Sequence, residues 1–165
     1  MKNIILIGMP GSGKSTIGVV LAKTLASFFI DTDLIIQVQR KNTLQRLIDD
    51  DGLESFRLYE EDALLAVDGT DTVVATGGSA VFCEKGMAHL KENGVCVYLK
   101  LPLEDIKKRL ANIKTRGIAM SKGETIDDVY AERIPLYERY ADVTVECHGK
   151  NVEEIVEIIA KTVEK

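Results

Sequence analysis

The sequence predicts an α/β domain of three layers, in which helices cover both faces of a five-stranded parallel sheet. Two observations carry this prediction. Five short runs rich in Ile and Val recur along the 165 residues, and segments with apolar residues at helical spacing separate them. Strands that alternate with helices are typical of parallel sheets with right-handed crossovers. The length suits one domain, predicted to span residues 1–165.

The five predicted strands are continuous apolar runs, as expected for strands that are buried on both faces. They are Asn3 to Gly8, Phe28 to Asp31, Thr72 to Thr76, Val95 to Leu99 and Val143 to Cys147. The helical spacing is clearest after the first strand, at Ile17, Val20, Leu21 and Leu25. Near the end of the chain, Asn151 and Glu154 form the pattern of a capping box, which predicts the start of the last helix.

Two stretches lack a clear period. They are Asp49 to Leu53 and Lys114 to Glu124, and the second contains Gly117 and Gly123. We expect the second, with bounds of about 112–124, to form a mobile lid, because glycines and missing periodicity are common in loops that close over a ligand.

Composition and charge exclude several classes of protein. The formal net charge is -5, and the 21 Lys and Arg are scattered among 26 Asp and Glu. No basic face of the kind that binds nucleic acid is therefore predicted. The opening apolar run, Ile4 to Ile7, is too short for a secretory segment. We expect a cytoplasmic monomer with neither nucleic acid nor membrane as a partner.

The cysteines and histidines do not form a recognisable centre. Cys83, Cys96 and Cys147 are odd in number and far apart, which favours buried free thiols over disulfides or a zinc site. His89 and His148 are also isolated from each other. A catalytic centre based on histidine is therefore not indicated.

A glycine-rich loop follows the first strand and precedes the first predicted helix. Gly8 to Thr16 match the pattern GxxxxGK[ST] in the context that this phosphate-binding loop requires. Lys14 is predicted to reach the β- and γ-phosphates of ATP, and Ser15 to place its hydroxyl on Mg²⁺. The loop alone does not separate a kinase from a GTPase, an ATPase or a switch. The predicted nucleotide-binding residues are Gly11, Ser12, Gly13, Lys14, Ser15 and Thr16.

Two carboxylates follow the second predicted strand. Asp31 and Asp33 are two residues apart, so on a strand they would project to the same side, at the sheet edge where ligands bind in open α/β folds. One could organise Mg²⁺ through water while the other accepts a proton from an attacking hydroxyl. The alternative is a simple Asx turn into the helix at Leu34.

The third predicted strand runs into Gly77, Gly78 and Ser79, where backbone N–H groups could approach an anionic or hydroxylated ligand. No aspartate ends this strand. That absence weakens the GTPase and motor ATPase interpretations and leaves Asp31 as the metal candidate. A plain turn is the alternative for the glycine pair.

Three arginines lie in different segments beyond the loop: Arg57, Arg116 and Arg133. A guanidinium can hold a carboxylate with two parallel hydrogen bonds, and on a lid it can neutralise charge on a transferring phosphoryl group. Taken singly, each arginine could also be a solvated surface residue.

With these residues in view, the whole chain resembles the shikimate kinases, which are small phosphate-binding-loop kinases related to the nucleoside-monophosphate kinases. The resemblance rests on the loop, the segment FFIDTDLII, Phe56-Arg57, the run VVATGG, Arg116 and the segment Arg133 to Tyr137. It implies transfer of a phosphoryl group from MgATP to the 3-hydroxyl of shikimate, with an acceptor-binding segment at about 32–60.

The resemblance also implies roles for individual residues. Asp33 would contact the acceptor hydroxyls and assist deprotonation of the attacking one, and Asp31 would support Mg²⁺ through water. Arg57 and Arg133 would hold the acceptor carboxylate. The remaining implied positions are Arg116, which would close with the lid, Arg109, which would pack near adenine, and Gly77, Gly78 and Ser79, which would line the acceptor pocket.

Two departures from the family pattern affect the acceptor side. Ser79 stands where the family has a third glycine, and Gly117-Ile118-Ala119 follow the lid arginine in place of Pro and Leu. Ser79 could narrow the pocket or add a hydrogen bond. The alternatives are therefore a kinase of another small hydroxylated acid, such as a gluconate-type sugar acid or a hydroxy amino acid, and a non-catalytic nucleotide-binding protein.

Overall fold

The computed structural model describes residues 1–112 and 117–163. Five parallel strands form one sheet in the order β2-β3-β1-β4-β5. The predicted α/β class and the five-stranded parallel sheet are confirmed. The strands are β1 (Asn3–Ile7), β2 (Phe28–Asp31), β3 (Thr72–Ala75), β4 (Gly94–Lys100) and β5 (Val143–Glu146).

Seven helices flank this sheet in the described residues. They are α1 (Lys14–Leu25), α2 (Thr32–Arg40), α3 (Leu44–Leu65), α4 (Glu84–Glu92), α5 (Leu103–Ala111), α6 (Ile126–Tyr140) and α7 (Val152–Val163), with a short 3₁₀ turn at Ala80–Phe82. α1 packs against α7, while α4 and α6 pack against β4. Right-handed crossovers place these two groups on opposite faces, which gives the predicted three layers.

Burial separates the central strands from the edge strands. β1 and β3 are buried along their whole length, as predicted. The prediction of burial on both faces is wrong for β2 and β5, because each has a neighbour on one side only. Phe28 at the start of β2 is 75% exposed.

The helix ends follow local chemistry. Asn151 Oδ1 accepts the Glu154 N–H at 2.9 Å and Glu154 Oε1 accepts the Asn151 N–H at 3.3 Å, so the predicted capping box is confirmed. The irregular stretch predicted at residues 49–53 lies inside α3, where Gly52 has φ 86° and ψ 165° and bends the helix. Helical residues continue on both sides of this glycine.

The parallel sheet brings three loops to one edge. In the register, Leu6 pairs with Ala75 and Asp31 also pairs with Ala75. The chain segments that leave β1, β2 and β3 therefore emerge side by side. No helix in residues 1–112 or 117–163 has the length and apolar character needed to span a membrane.

Two of the three thiols are buried as predicted. Cys96 and Cys147 are buried, whereas Cys83 is half-exposed at the start of α4. Burial raises the pKa of the Cys83 thiol to about 11. The thiol is therefore protonated at neutral pH and poorly nucleophilic.

Candidate active site

The loop after β1 wraps around the ammonium group of Lys14. The Lys14 Nζ donates to the carbonyl oxygens of Gly8 at 2.8 Å and Met9 at 2.9 Å. Gly13 has φ 93°, a left-handed conformation that side chains rarely adopt, and it directs the chain into α1. The loop therefore places a cation beside the N-terminal end of a helix, which is the arrangement that binds phosphate.

The other predicted nucleotide-binding residues lie in the loop, at the start of α1 and on α5. Ser12 is buried, and its Oγ lies 3.4 Å from the Lys14 Nζ. Arg109 reaches over from α5, and its Nη1 donates to the Gly11 carbonyl at 3.2 Å. Thr16 lies on the exposed side of α1. Residues of α5 therefore pack over the outer side of the loop.

Ser15 and Asp31 form a direct pair. The Ser15 Oγ donates to Asp31 Oδ2 at 2.7 Å. The other carboxylate oxygen, Oδ1, accepts the backbone N–H groups of Asp33 at 3.0 Å and Leu34 at 3.3 Å. One hydroxyl and one carboxylate thus meet beside the loop, and Mg²⁺ favours such oxygen donors together with phosphate and water. The pair fits the predicted metal site.

The geometry predicted for the two aspartates is wrong. Asp31 ends β2, but Asp33 lies in the first turn of α2 and does not extend the strand. The reason is local, because the Asp31 carboxylate caps the helix and turns the chain at that point. Asp31 thus forms the Asx turn considered as an alternative and binds Ser15 with its second oxygen. Asp33 is directed instead toward the glycines after β3.

Two carboxylates approach the backbone of Gly77. A Cβ added at Gly77 would lie 2.6 Å from Asp33 Oδ1 and 2.8 Å from Glu60 Oε2. No other residue type fits there without displacing both side chains. The Asp33 and Glu60 carboxylates therefore face the same small space at the carboxyl edge of the sheet.

Glu60 is a buried residue of the site that the sequence analysis missed. It is 2% exposed, and the Ser79 Oγ donates to its Oε1 at 2.7 Å. Burial raises the pKa of Glu60 to about 7; the Ser79 hydrogen bond opposes this shift and the charge of Asp33 adds to it. Arg57 is one turn earlier on α3. The spacing of Glu60 from Arg57 could have pointed to Glu60, but six other acidic residues lie within ten positions of it.

The shifted pKa of Glu60 predicts a pH-dependent stability. Below about pH 4.5, the carboxyl group is protonated in both folded and unfolded chains. Between about 4.5 and 7, the unfolded chain releases this proton and the folded chain keeps it, so the free energy of unfolding decreases as pH rises. The loss should reach about 3 kcal/mol above pH 7. Glu60→Gln should remove it, as measured by urea unfolding at pH 5 and pH 8.

Two matched variants complete that measurement. Glu54→Gln makes the same change at an exposed position of α3 and should leave the pH slope as in the wild type. Ser79→Ala removes the hydrogen bond that favours the ionised carboxylate and should deepen the loss. Equal slopes in the wild type and Glu60→Gln would exclude Glu60 as the cause.

Arg133 is a buried cation with unsatisfied donors. It is 2% exposed, and its Nη2 donates to the Ala119 carbonyl. Neither Nε nor Nη1 has a hydrogen-bond partner among the described residues. A buried unpaired donor on a cation is costly, so such a group indicates a place for an anion.

Gly78 joins this arginine to the phosphate-binding loop. A Cβ added at Gly78 would lie 2.7 Å from Pro10 Cδ and 3.1 Å from Arg133 Nη1. The Tyr137 hydroxyl donates to the Gly78 carbonyl at 2.5 Å and fixes this strand end against α6. The loop, the glycine pair and the arginine are therefore in direct contact.

A cavity of about 20 Å³ lies at this junction, which is room for one water molecule. Its lining includes Pro10, Asp33, Glu60, Arg133 and the segment 117–119. Gly117 packs tightly here, since an added Cβ would lie 2.6 Å from Leu44 Cβ. The segment 117–119 therefore occupies much of the space that an acceptor would need.

Two predicted arginines differ in their placement. Arg57 does not line that cavity; it lies behind Glu60, with its guanidinium 4.5 Å from the centre of the Phe82 ring. Arg116, the predicted lid arginine, belongs to the segment 113–116, which lies outside the described residues. Of Arg57 and Arg133, the structure brings Arg133 into the cavity beside the loop.

Comparisons with known proteins agree with this geometry. Residues 10–164 match the shikimate kinase family. The chain belongs to the shikimate kinase family. The shikimate kinase of Caldanaerobacter subterraneus subsp. tengcongensis is 33% identical over 164 residues, which cover 98% of this chain and 95% of that protein. The shikimate kinase of Francisella philomiragia subsp. philomiragia is 37% identical over 163 residues, which cover 96% and 93%.

Solved structures of shikimate kinases share the fold. Shikimate kinase from Acinetobacter baumannii in complex with shikimate matches with a TM-score of 0.90 at 28% identity, over 99% of this chain and 93% of that chain. Deoxyadenosine kinase from M. mycoides, at 15% identity and a TM-score of 0.65, shares the fold alone. The predicted family and fold are therefore confirmed.

Within this shikimate kinase fold, the departure at Ser79 has a structural explanation. Its hydroxyl is bound to Glu60 Oε1, so the added group satisfies a buried carboxyl. Ser79 is itself buried. Of the two outcomes considered for this residue, the added hydrogen bond is the one observed.

Proposed function

We propose that this protein transfers the γ-phosphoryl group of ATP to the 3-hydroxyl of shikimate and releases ADP and shikimate 3-phosphate. The observation that carries the proposal is the contact between a buried arginine with unsatisfied donors, a carboxylate and a phosphate-binding loop. Arg133, Asp33 and Pro10 line one cavity. An acceptor that carries both an anionic group and a hydroxyl fits this set.

On the donor side, the loop would bind the phosphates of ATP. Backbone N–H groups at the start of α1 and the Lys14 ammonium would neutralise their charge. The carbonyl oxygens of Gly8 and Met9 hold the Lys14 ammonium within this loop, from where it would contact the phosphates. Ser15 and Asp31 would hold Mg²⁺, the latter through water, and this ion would supply further charge neutralisation on the phosphate oxygens.

On the acceptor side, Arg133 would bind the shikimate carboxylate through its two unpartnered nitrogens. Asp33 would accept the proton of the attacking hydroxyl as the new O–P bond forms and the bond to the ADP oxygen breaks. Gly77 and Gly78 would line the acceptor pocket and leave room for the side chains of Asp33 and Arg133 there. Arg57 would complete the anion site from behind Glu60.

The segment 117–119 supports a closing role for the lid. It fills the acceptor pocket and contacts Arg133 through the Ala119 carbonyl. The cavity beside Arg133 is smaller than shikimate, so the segment would move outward for the acceptor to enter and would close over it afterwards. The role of Arg116 in the closed lid and the bounds of 112–124 remain predictions from the sequence, as do the monomeric state and the cytoplasmic location.

A coupled assay of ADP release over a panel of acceptors tests the proposal. Shikimate, gluconate and serine represent the acceptor classes considered. Of these three acceptors, we expect only shikimate to give saturable, acceptor-dependent release of ADP. Turnover of gluconate or serine without turnover of shikimate would replace the proposed acceptor. ATP binding without any acceptor-stimulated release would indicate a non-catalytic nucleotide-binding protein.

A further inference from the structure

The ring of Phe82 lies beside two guanidinium groups at once. The Arg57 Cζ is 4.5 Å from the ring centre and the Arg133 Cζ is 5.6 Å from it. We propose that Phe82 is a positioning residue that holds the Arg133 guanidinium in the acceptor pocket and the Arg57 guanidinium directly behind that pocket. The proposal rests on the proposed function and assigns a further determinant of acceptor binding to the same site.

Phe82 is the point at which three separate parts of the fold meet. It ends the 3₁₀ turn Ala80–Phe82, directly after the Gly77 to Ser79 segment, and its N–H donates to the Ser79 carbonyl at 3.1 Å. Arg57 lies on α3 and Arg133 on α6, and both helices pack against this turn. The turn after β3 therefore fixes the ring relative to the glycines of the acceptor pocket.

An aromatic ring suits this position because of how it holds a guanidinium group. Contact with the face of a ring attracts the cation without using its N–H donors. A carboxylate partner would instead engage those donors. Arg133 keeps Nε and Nη1 without a partner among the described residues, so its donors remain available to a ligand.

Glu60, the nearby acid, does not position the two guanidinium groups. Glu60 faces both arginines, but its Oε1 accepts the Ser79 hydroxyl, and neither arginine has a salt bridge to it among the described residues. Burial also holds the pKa of Glu60 near 7, which reduces its mean charge at neutral pH. In residues 1–112 and 117–163, the Phe82 ring is thus the one group in cation–π contact with both guanidinium groups.

Steady-state kinetics of Phe82→Leu test the proposal. Loss of two cation–π contacts should raise the KM for shikimate by about 5- to 30-fold, with kcat and the KM for ATP within about twofold of wild type. Phe82→Tyr and Phe82→Trp keep the aromatic face and should restore most of the affinity. A purely structural role would instead lower the melting temperature and leave the ratio of the two KM values unchanged.

A matched control and a coupled variant sharpen the test. Phe29→Leu makes the same change at another half-buried ring, one that packs against Gly18, and should leave the KM for shikimate unchanged. In an Arg57→Lys background, Phe82→Leu should have a clearly smaller effect, because the planar partner is gone. An undiminished effect in that background would overturn the proposal.

The outcomes for Phe82 and for the proposed function are separable. Failure of the wild-type protein to phosphorylate shikimate would refute the proposed function. Wild-type turnover together with an unchanged KM for shikimate in Phe82→Leu would refute only the role of Phe82.

Discussion

Replacement of Asp33 by Asn is expected to reduce phosphoryl transfer to shikimate by about 10²- to 10⁴-fold while ATP still binds. The amide is close in size to the carboxylate, so it fits beside Gly77, but it does not accept the proton of the attacking hydroxyl. Asp33 lies beside Gly77 on the acceptor side, whereas the Gly8 and Met9 carbonyls that bind the Lys14 ammonium belong to the loop. The donor site should therefore persist in this variant.

Two measurements separate these effects. Coupled ADP release gives the rate of transfer, and calorimetric titration with a non-hydrolysable ATP analogue gives the affinity of the donor site. Asp62→Asn makes the same change on the exposed side of α3, where the carboxylate pairs with Arg40, and should retain full activity. A kcat for Asp33→Asn within a few-fold of wild type would show that another group accepts the proton.

The fold and the donor site could be predicted because their determinants are local in sequence. The loop from Gly8 to Thr16 carries its conformation in its glycines, and the apolar runs of β1, β3 and β4 require burial on both faces. The capping box at Asn151 is equally local. Parallel pairing then brings the segments after β1, β2 and β3 to one edge without further information.

The wrong predictions concern features of the structure that tertiary packing determines. The sequence of β2 is as apolar as that of a central strand, yet β2 lies at the edge and Phe28 is exposed. Asp33 lies in α2 because the Asp31 carboxylate caps that helix. The apolar pattern of β2 does not indicate this change from strand to helix. The irregular stretch at Gly52 is a bend within α3, because the flanking residues still pack as a helix.

Glu60 and Phe82 illustrate a different limit. Glu60 is one of several acids on α3, and only the packing of Ser79 against it distinguishes it from exposed neighbours such as Glu54. Phe82 is one of several apolar residues after the glycine pair. Its relation to Arg57 and Arg133 depends on two helices that are distant in sequence. The roles of such residues in the site can be recognised only when the positions of the helices in the fold are known.

Replacement of Arg133 by Met is expected to raise the KM for shikimate by about 30-fold or more without unfolding the protein. Loss of a buried charged partner for a ligand carboxylate typically weakens binding by about 2–5 kcal/mol. In the free protein, however, the guanidinium is buried, and two of its nitrogens have no hydrogen-bond partner in the part of the chain that the structure describes. An apolar side chain of similar length removes that penalty, so the melting temperature should stay the same or rise.

Arg133→Met should weaken shikimate binding without lowering the melting temperature, so the two measurements together distinguish a binding role from a packing role. Arg139→Met makes the same change at an exposed position of α6 and should alter neither KM nor stability. Saturating shikimate should raise the melting temperature of the wild type and of Arg139→Met, but not of Arg133→Met, because a ligand stabilises only a folded state that binds it. A loss of stability with an unchanged KM would assign Arg133 to the packing of α6, since its contact with the Ala119 carbonyl would then be structural.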